Sequence, residues 1–263
     1  DTLLHNGTIE RIMRKWDLWD AEQTKLLGEE NKFDVTGRTF SWPEALLKLT
    51  NAAVITVLIA FGSMIIAMLL GIPLAFGQTY GSKPVKYLCT IYIEFFRGTP
   101  VLVQLLFLYF GLPVIGIALP GWLTALTGLG LNYAAYESQI YRTAFQAVPQ
   151  RQWDVAYSLG MKPFLTFRRI IFPQAFRIAL PPMTNDFVAL FKDTSAAFAI
   201  SVWELATAYR ELANASGEFL FLGAVTAGFY LLMSLPLAHY ARRLENKLNR
   251  SNKKMFEEEA RTV

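Results

Sequence analysis

The sequence predicts an all-α membrane protein with five transmembrane helices, and three observations predict it. The first is composition: 53% of residues are hydrophobic and only 17% are charged, whereas soluble domains carry about 25% charged residues. The second is the length of the uncharged runs, 34 residues from Leu49 to Ser82 and 39 from Gly98 to Tyr136. Roughly 20 apolar residues suffice to cross about 30 Å of hydrocarbon. The third is where the charge falls. The Lys83/Lys86 loop, six Arg or Lys from Arg142 to Arg177 and seven after Tyr240 share one side if the spans alternate. The positive-inside rule makes that side cytoplasmic, which puts the N-terminus outside and the C-terminus inside.

The elements follow in order. Residues 1–48 are polar, with seven basic and nine acidic side chains, and long segments translocate largely regardless of charge. Within them Ile9, Ile12, Met13 and Trp16 recur at helical spacing after the start signal Asn6-Gly7-Thr8, so an amphipathic helix is expected over residues 1–21. A polar linker, 22–46, leads to the membrane. One span lies in Leu49 to Ser82, and the 39-residue run holds parts of two, with a turn near Pro113 to Pro120. Pro181 to Trp203 and Gly217 to Tyr240 supply two more. The membrane domain is therefore 47–249, and 250–263 is a cytosolic tail.

Several function classes are excluded. A lone Cys89 rules out an internal disulfide framework and a cysteine-rich metal site, and His5 and His239 are too far apart to suggest a metal pair. No HExxH, serine elbow or intramembrane histidine pair marks a membrane enzyme, so no catalytic residue is assigned. No G-x-x-x-x-G-K-[ST] loop is present, so the chain is not its own ATPase. The net charge of +4 is a matter of membrane sidedness, and no nucleic-acid partner is expected.

Glycine and proline inside apolar spans point to a transporter's binding site, because broken helices expose backbone groups at the midplane. Two spans carry such signals. In the second, Glu94-Phe95-Phe96-Arg97-Gly98-Thr99-Pro100 interrupts the apolar run, with Arg97 about 16 Å beyond Lys86 at helical rise. In the fourth, Pro181-Pro182 is expected to break the helix ahead of Asn185 and Asp186, with Asp186 about 14 Å beyond Arg177. A charge at the bilayer centre costs roughly 2.5 to 3.5 kcal/mol even on lenient scales, which makes it a functional signal. Arg97 can hold a carboxylate with two parallel hydrogen bonds, and Asp186 can pair with a cation. Gly98 lets a ligand approach the backbone, while Thr99, Gln104 and Asn185 add neutral polar groups. The competing expectation is an internal ion pair of Arg97 with Asp186 or Glu94. Lys192 and Asp193 are expected near the outer gate or paired with neighbours, and Glu137 and Arg142 are expected to snorkel toward the headgroups.

Between the third and fourth spans, Trp153, Ala156, Tyr157 and Gly160 fall on one helical face, and Phe164, Phe167, Ile170 and Ile171 form a second apolar stripe. Short amphipathic helices on the cytosolic face imply a partner groove or the membrane surface.

Asp154-Val155-Ala156 followed by Gly160, then Ile171-Phe172-Pro173-Gln174-Ala175, resembles the E-A-A-x-x-x-G loop of bacterial ABC importer permeases. FFRGTPVLVQL at Phe95–Leu105 and LPPMTNDFVALFKDTS at Leu180–Ser195 are similar to the histidine/glutamine/arginine/opine permeases, the polar amino-acid branch. The resemblance implies a type I importer permease fold in the inner membrane and a dimeric membrane domain, made with a second copy or a homologue. It also implies a pair of ATP-binding subunits, which carry the ATP and magnesium, while this chain needs no cofactor. A coupling helix at about 150–163 would present Asp154, Val155, Ala156, Leu159 and Gly160 to that partner. Gly7, Thr8, Ile12, Lys15 and Trp16 resemble the last helix of periplasmic amino-acid-binding proteins, which implies an extracytoplasmic binding domain fused upstream. Two departures stand out. Asp154 replaces the usual Glu, and Gln139 replaces the acid of A-Y-x-A-E-x-x-R. As the resemblance implies, an acid after the fourth-span Asn accompanies carriers of arginine, lysine and histidine. Asp186 therefore predicts a cationic amino acid; glutamine or broad polar uptake is the alternative, and an ion-coupled secondary transporter is the more distant one.

Overall fold

The computed structural model describes Arg11, Lys15 and residues 41–261. The chain divides into two compact units, Asp1–Ser41 and Trp42–Val263. In the first, Arg11 and Lys15 are helical and exposed; the other residues of the expected amphipathic helix, Gly7, Thr8, Ile12 and Trp16 among them, lie outside the described residues.

The second unit is helical throughout its described elements. Helix α1, Trp42–Tyr80, is long and apolar, and it buries Ala45, Leu49, Ala52, Thr56, Ala60, Ser63, Ala67, Gly71 and Ala75 at spacings of three and four. That stripe of small residues matters because lipid tails are as apolar as leucine, so helices in a bilayer associate through close packing rather than burial alone. Its main partner is α4, Gly121–Ala147. A Cβ added at Gly130 would stand 2.8 Å from Ile66 Cβ, and one at Gly71 would stand 3.0 Å from Glu137 Cβ. The two backbones are therefore as close as glycine permits, and Ser63 Oγ adds a hydrogen bond to the Leu126 carbonyl at 3.0 Å. Helix α2, Lys83–Gly98, packs on both. Cys89 sits where α2 meets Gly77 of α1, as a small residue in a tight crossing.

Thr99 and Pro100 end α2. Proline forces the preceding residue out of the helical region, and Thr99 takes φ −119 and ψ 145. Helix α3, Val101–Leu106, then starts afresh and continues through a wide turn to Gly111 and a tight one to Ile115. The bend between the two arms is 104°. Gly116, at φ 86, turns the chain toward α4, within the Pro113 to Pro120 turn read from the sequence.

Val148 is extended ahead of Pro149 and ends α4. A short helix α5, Gln150–Ser158, follows, then α6, Pro163–Thr166, which runs through a wide turn at Phe167–Ile171 into α7, Phe172–Asp193. Here the expectation of a broken fourth span is corrected, because α7 passes through Pro181 and Pro182 as a continuous helix. Proline's φ suits a helix; what it removes is a donor. The Arg177 and Ile178 carbonyls thus lose their partners four residues on, without unwinding. After a tight turn at Thr194–Ile200 come α8, Leu205–Ser216, and α9, Phe219–Arg261. Buried Glu204 caps α8 by accepting from the Ala206 and Thr207 amides at 3.0 and 2.8 Å, and it accepts from the Tyr230 hydroxyl of α9 at 3.1 Å.

By length and composition, α1 and Phe219–Arg243 of α9 can each cross a membrane, and the bent α2–α3 pair can form a third span. The 27-residue α4 and 22-residue α7 fall short of that apolar measure. They carry the buried or half-buried polar side chains Asn132, Glu137, Ser138, Asp186 and Asp193.

Candidate functional site

The α2 terminus is where the site begins. The last carbonyls of a helix lack partners within it, and here two side-chain amides supply them. Gln104 Nε2 donates to the carbonyls of Phe96 at 3.0 Å and Thr99 at 3.1 Å and to Thr99 Oγ1 at 2.7 Å. Asn132 Nδ2, from α4, donates to the same Phe96 carbonyl and to Gln104 Oε1, both at 3.0 Å. This knot fixes the bend and leaves Arg97, Gly98 and Thr99 facing open space. A Cβ at Gly98 would meet nothing within 4 Å.

That space is a cavity of about 500 Å³ lined by Arg97, Gly98, Thr99, Asn132, Tyr133, Tyr136, Asp186 and Asp193 with three apolar neighbours. A second chamber of about 430 Å³ shares Arg97, Tyr136 and Asp186 and adds Gln139, Ile178, Pro182 and Asn185 among others. It extends toward the ends of α4 and α7 that join α5 and α6. Five of the six residues expected at the site therefore line one chamber or the other. Gln104 lines neither; it is buried and holds the bend that presents Thr99.

The charges stand apart. The Arg97 guanidinium lies 5.3 Å from the centre of the Tyr136 ring, a cation–π placement, and among the described residues no carboxylate lies within ion-pair distance of it. Asp186 Oδ2 is buried and has no hydrogen-bond partner among the described residues. The competing expectation, an internal Arg97 pair with Asp186 or Glu94, is not what the structure has. Asp193 lines the first chamber and accepts from the Tyr133 hydroxyl at 2.8 Å, so it pairs with a neighbour as anticipated yet also faces the cavity. Asp186, Ala189 and Asp193 share one face of α7, and the alanine leaves room between the two acids.

Three lining residues, Asn132, Tyr133 and Tyr136, were not singled out in the sequence. A one-turn polar-aromatic cluster on an apolar span was the available signal. Glu137 also departs from expectation. It is fully buried beside the Tyr141 hydroxyl rather than snorkelling, because its face of α4 is the one pressed on Gly71 of α1. Arg142 is half-buried, and its Nε has no hydrogen-bond partner among the described residues.

On the opposite end, Ala156 of α5 is fully buried, whereas Val155 and Leu159 are 53% and 76% exposed. Asp154 and Gly160 are exposed too. Gly160 takes φ 72, and the Gly160 and Met161 amides donate to the Tyr157 and Ala156 carbonyls at 2.9 and 3.0 Å. This is the left-handed helix end that glycine provides most cheaply.

A helical membrane domain with a bent, glycine-bearing helix end over a charged cavity is the build of a solute permease. Residues 67–250 match the model of the family described as binding-protein-dependent transport system inner membrane component, and the chain belongs to that family. It is thus an integral inner-membrane transport subunit of the ABC class, whose ATP hydrolysis belongs to a separate partner. Among its relatives, the L-cystine transport system permease protein TcyB of Bacillus subtilis (strain 168) is 31% identical, over 85% of this chain and 94% of that one. The glutamine transport system permease protein GlnP of Escherichia coli (strain K12) is 31% identical over 79% and 95%. Among solved structures, an amino acid ABC transporter crystallised with histidines matches with a TM-score of 0.72 at 28% identity, covering 78% of this chain and 95% of that one. The inward-facing MetNI methionine ABC transporter matches at 0.65 and 14% over 78% and 97%, which is a likeness of fold.

Proposed function

We propose that this chain is the permease subunit of an ATP-driven importer of polar amino acids, with cationic amino acids (arginine, lysine, histidine) as its preferred cargo. The observation that carries this reading is the pair of opposite charges, Arg97 and the buried Asp186 oxygen, which share the wall of one cavity without a direct ion pair among the described residues. Isolated charges inside a membrane domain are costly, and a zwitterion satisfies both. In this reading Arg97 grips the α-carboxylate and Asp186 takes the positive end of the cargo, with Asn185 beside it. Gly98 lets the cargo approach the helix end, and Thr99, positioned by Gln104, supplies a neutral contact. The first chamber holds one guanidinium against two carboxyl groups, Asp186 and Asp193, which favours a cargo of net positive charge. The relatives named for L-cystine and glutamine support the alternative, broad uptake of neutral polar amino acids.

The outward-facing Asp154, Val155, Leu159 and Gly160, on a helix anchored by Ala156, suit a coupling contact with the ATP-binding subunit. Closure of the partner pair would rock the helices between inward-open and outward-open states, biased by the cargo's differential affinity for the two. A second permease copy or homologue and an extracytoplasmic binding domain, fused or separate, complete the assembly.

The test is uptake by proteoliposomes that hold the chain with its ATP-binding partner, comparing labelled arginine with labelled glutamine. ATP-dependent arginine uptake that falls at least about tenfold in Asp186→Asn, the effect of losing a charge-assisted bond, is the expected result. Undiminished arginine uptake by that variant contradicts the assignment, and uptake without ATP favours an ion-coupled carrier.

A further inference from the structure

The second chamber carries a polar group whose orientation is set by a relay that runs across three helices. Thr90 Oγ1, on α2, donates its single hydrogen to the Lys86 carbonyl at 2.8 Å, so toward its other neighbour it can only accept. That neighbour is Gln78 of α1, whose Nε2 donates to Thr90 Oγ1 at 3.3 Å. Gln78 is thereby turned with its Oε1 toward α4, where it accepts from Gln139 Nε2 at 2.8 Å. Gln139 Nε2 also donates to Ser138 Oγ at 3.3 Å. Both donors of the Gln139 amide point away from the cavity it lines, and its Oε1, which has no partner among the described residues, is left as an acceptor. An amide is free to present either end; this relay selects the oxygen.

The second chamber holds further acceptors. Asp186 and Asn185 line it, and so do Ile178 and Pro182. Because Pro182 has no N–H, the Ile178 carbonyl lacks its helical partner. Gln139, Asn185 and Asp186 thus spread oxygen acceptors over α4 and α7 rather than gathering them at a point, in a chamber that Arg97, Tyr136 and Thr143 also line. A planar group with several diverging N–H donors matches such a wall better than a compact ammonium does.

Resting on the proposed amino-acid site, we infer that the second chamber receives the end of the cargo's side chain, and that Gln139 Oε1, aimed by Gln78 and Thr90, reads a guanidinium in preference to an ammonium. The residue thus sets selectivity between two cargoes of equal charge. Asp186 reads the charge itself.

The experiment measures labelled arginine and lysine uptake by the complete transporter in proteoliposomes, as a ratio of KM values. The parent is expected to favour arginine. Gln139→Leu removes the acceptor and should raise the arginine KM by about 10-fold with little change for lysine, as expected for one lost polar contact. Gln139→Glu, which keeps an oxygen there, should retain the preference. Gln78→Leu lies outside the chamber and only frees the amide to turn, so it should lose part of the preference. Since misassembly lowers uptake of both cargoes alike, a changed ratio is specific. A parent without preference, or a Gln139→Leu variant with an unchanged ratio, overturns the inference. Asp186→Asn in the same assay separates the two levels: if it abolishes arginine uptake while Gln139→Leu leaves the ratio intact, the inference falls and the site stands. If Asp186→Asn has no effect, the site falls and the inference with it.

Discussion

At the scale of single residues, Arg97, Gly98, Thr99 and Asp186 divide the work between charge and access. Gly98 has open space where a side chain would be, so nothing in the unliganded fold requires glycine there. Gly98→Ala should therefore leave the melting temperature unchanged while reducing amino-acid uptake, and parallel thermal-shift and uptake measurements check this. A fall in both would mean that the glycine serves packing. The site charges were legible from the sequence because ionisable groups are rare in long apolar runs, and Arg97 and Asp186 are conspicuous there. Tyr133 and Tyr136 were not, since tyrosines on a membrane helix are ordinary, and only the pressing of the opposite α4 face onto α1 shows which way they look. Gln104 was legible as polar but not in its role. Its three hydrogen bonds to Phe96 and Thr99 depend on the 104° bend, which local pattern does not specify in magnitude.

At the scale of elements, two proline sites in similar surroundings behave differently. Pro100 ends α2 because Thr99 before it turns extended, whereas Pro181 and Pro182 are carried inside α7. The sequence marked both as breaks, and only one is. The difference is that α7 loses donors without losing its path, packed as it is between α4 and α9. The α1–α4 pairing is the element that holds α4's cavity face in place. Gly130→Ala would drive a Cβ to within 2.8 Å of Ile66 Cβ and 3.3 Å of the Ser63 carbonyl, atoms close to or in the α1 backbone that cannot swing aside. It should destabilise the domain by about 1–3 kcal/mol, the usual cost of overpacking, measurable as a lowered unfolding midpoint in detergent; an unchanged midpoint would show that α1 can shift freely.

For the whole molecule, charge placement and docking geometry make the same demand. The basic loop that contains α5 should face the cytoplasm, with the Leu159 side chain 76% exposed on it. In a Cys89→Ser background, Leu159→Cys is expected to react with a membrane-impermeant thiol reagent only when the cytoplasmic face is accessible, and addition of the ATP-binding subunit should protect it. Labelling of intact cells from outside would reverse the orientation. At the cavity, a guanidinium and a carboxylate face the same space without a direct ion pair. The most direct measurement is a structure of the complete transporter with arginine bound. The account predicts the α-carboxylate of the cargo on the Arg97 guanidinium and its positive end within hydrogen-bond distance of Asp186. A direct Arg97–Asp186 ion pair, with the cargo elsewhere, would contradict it.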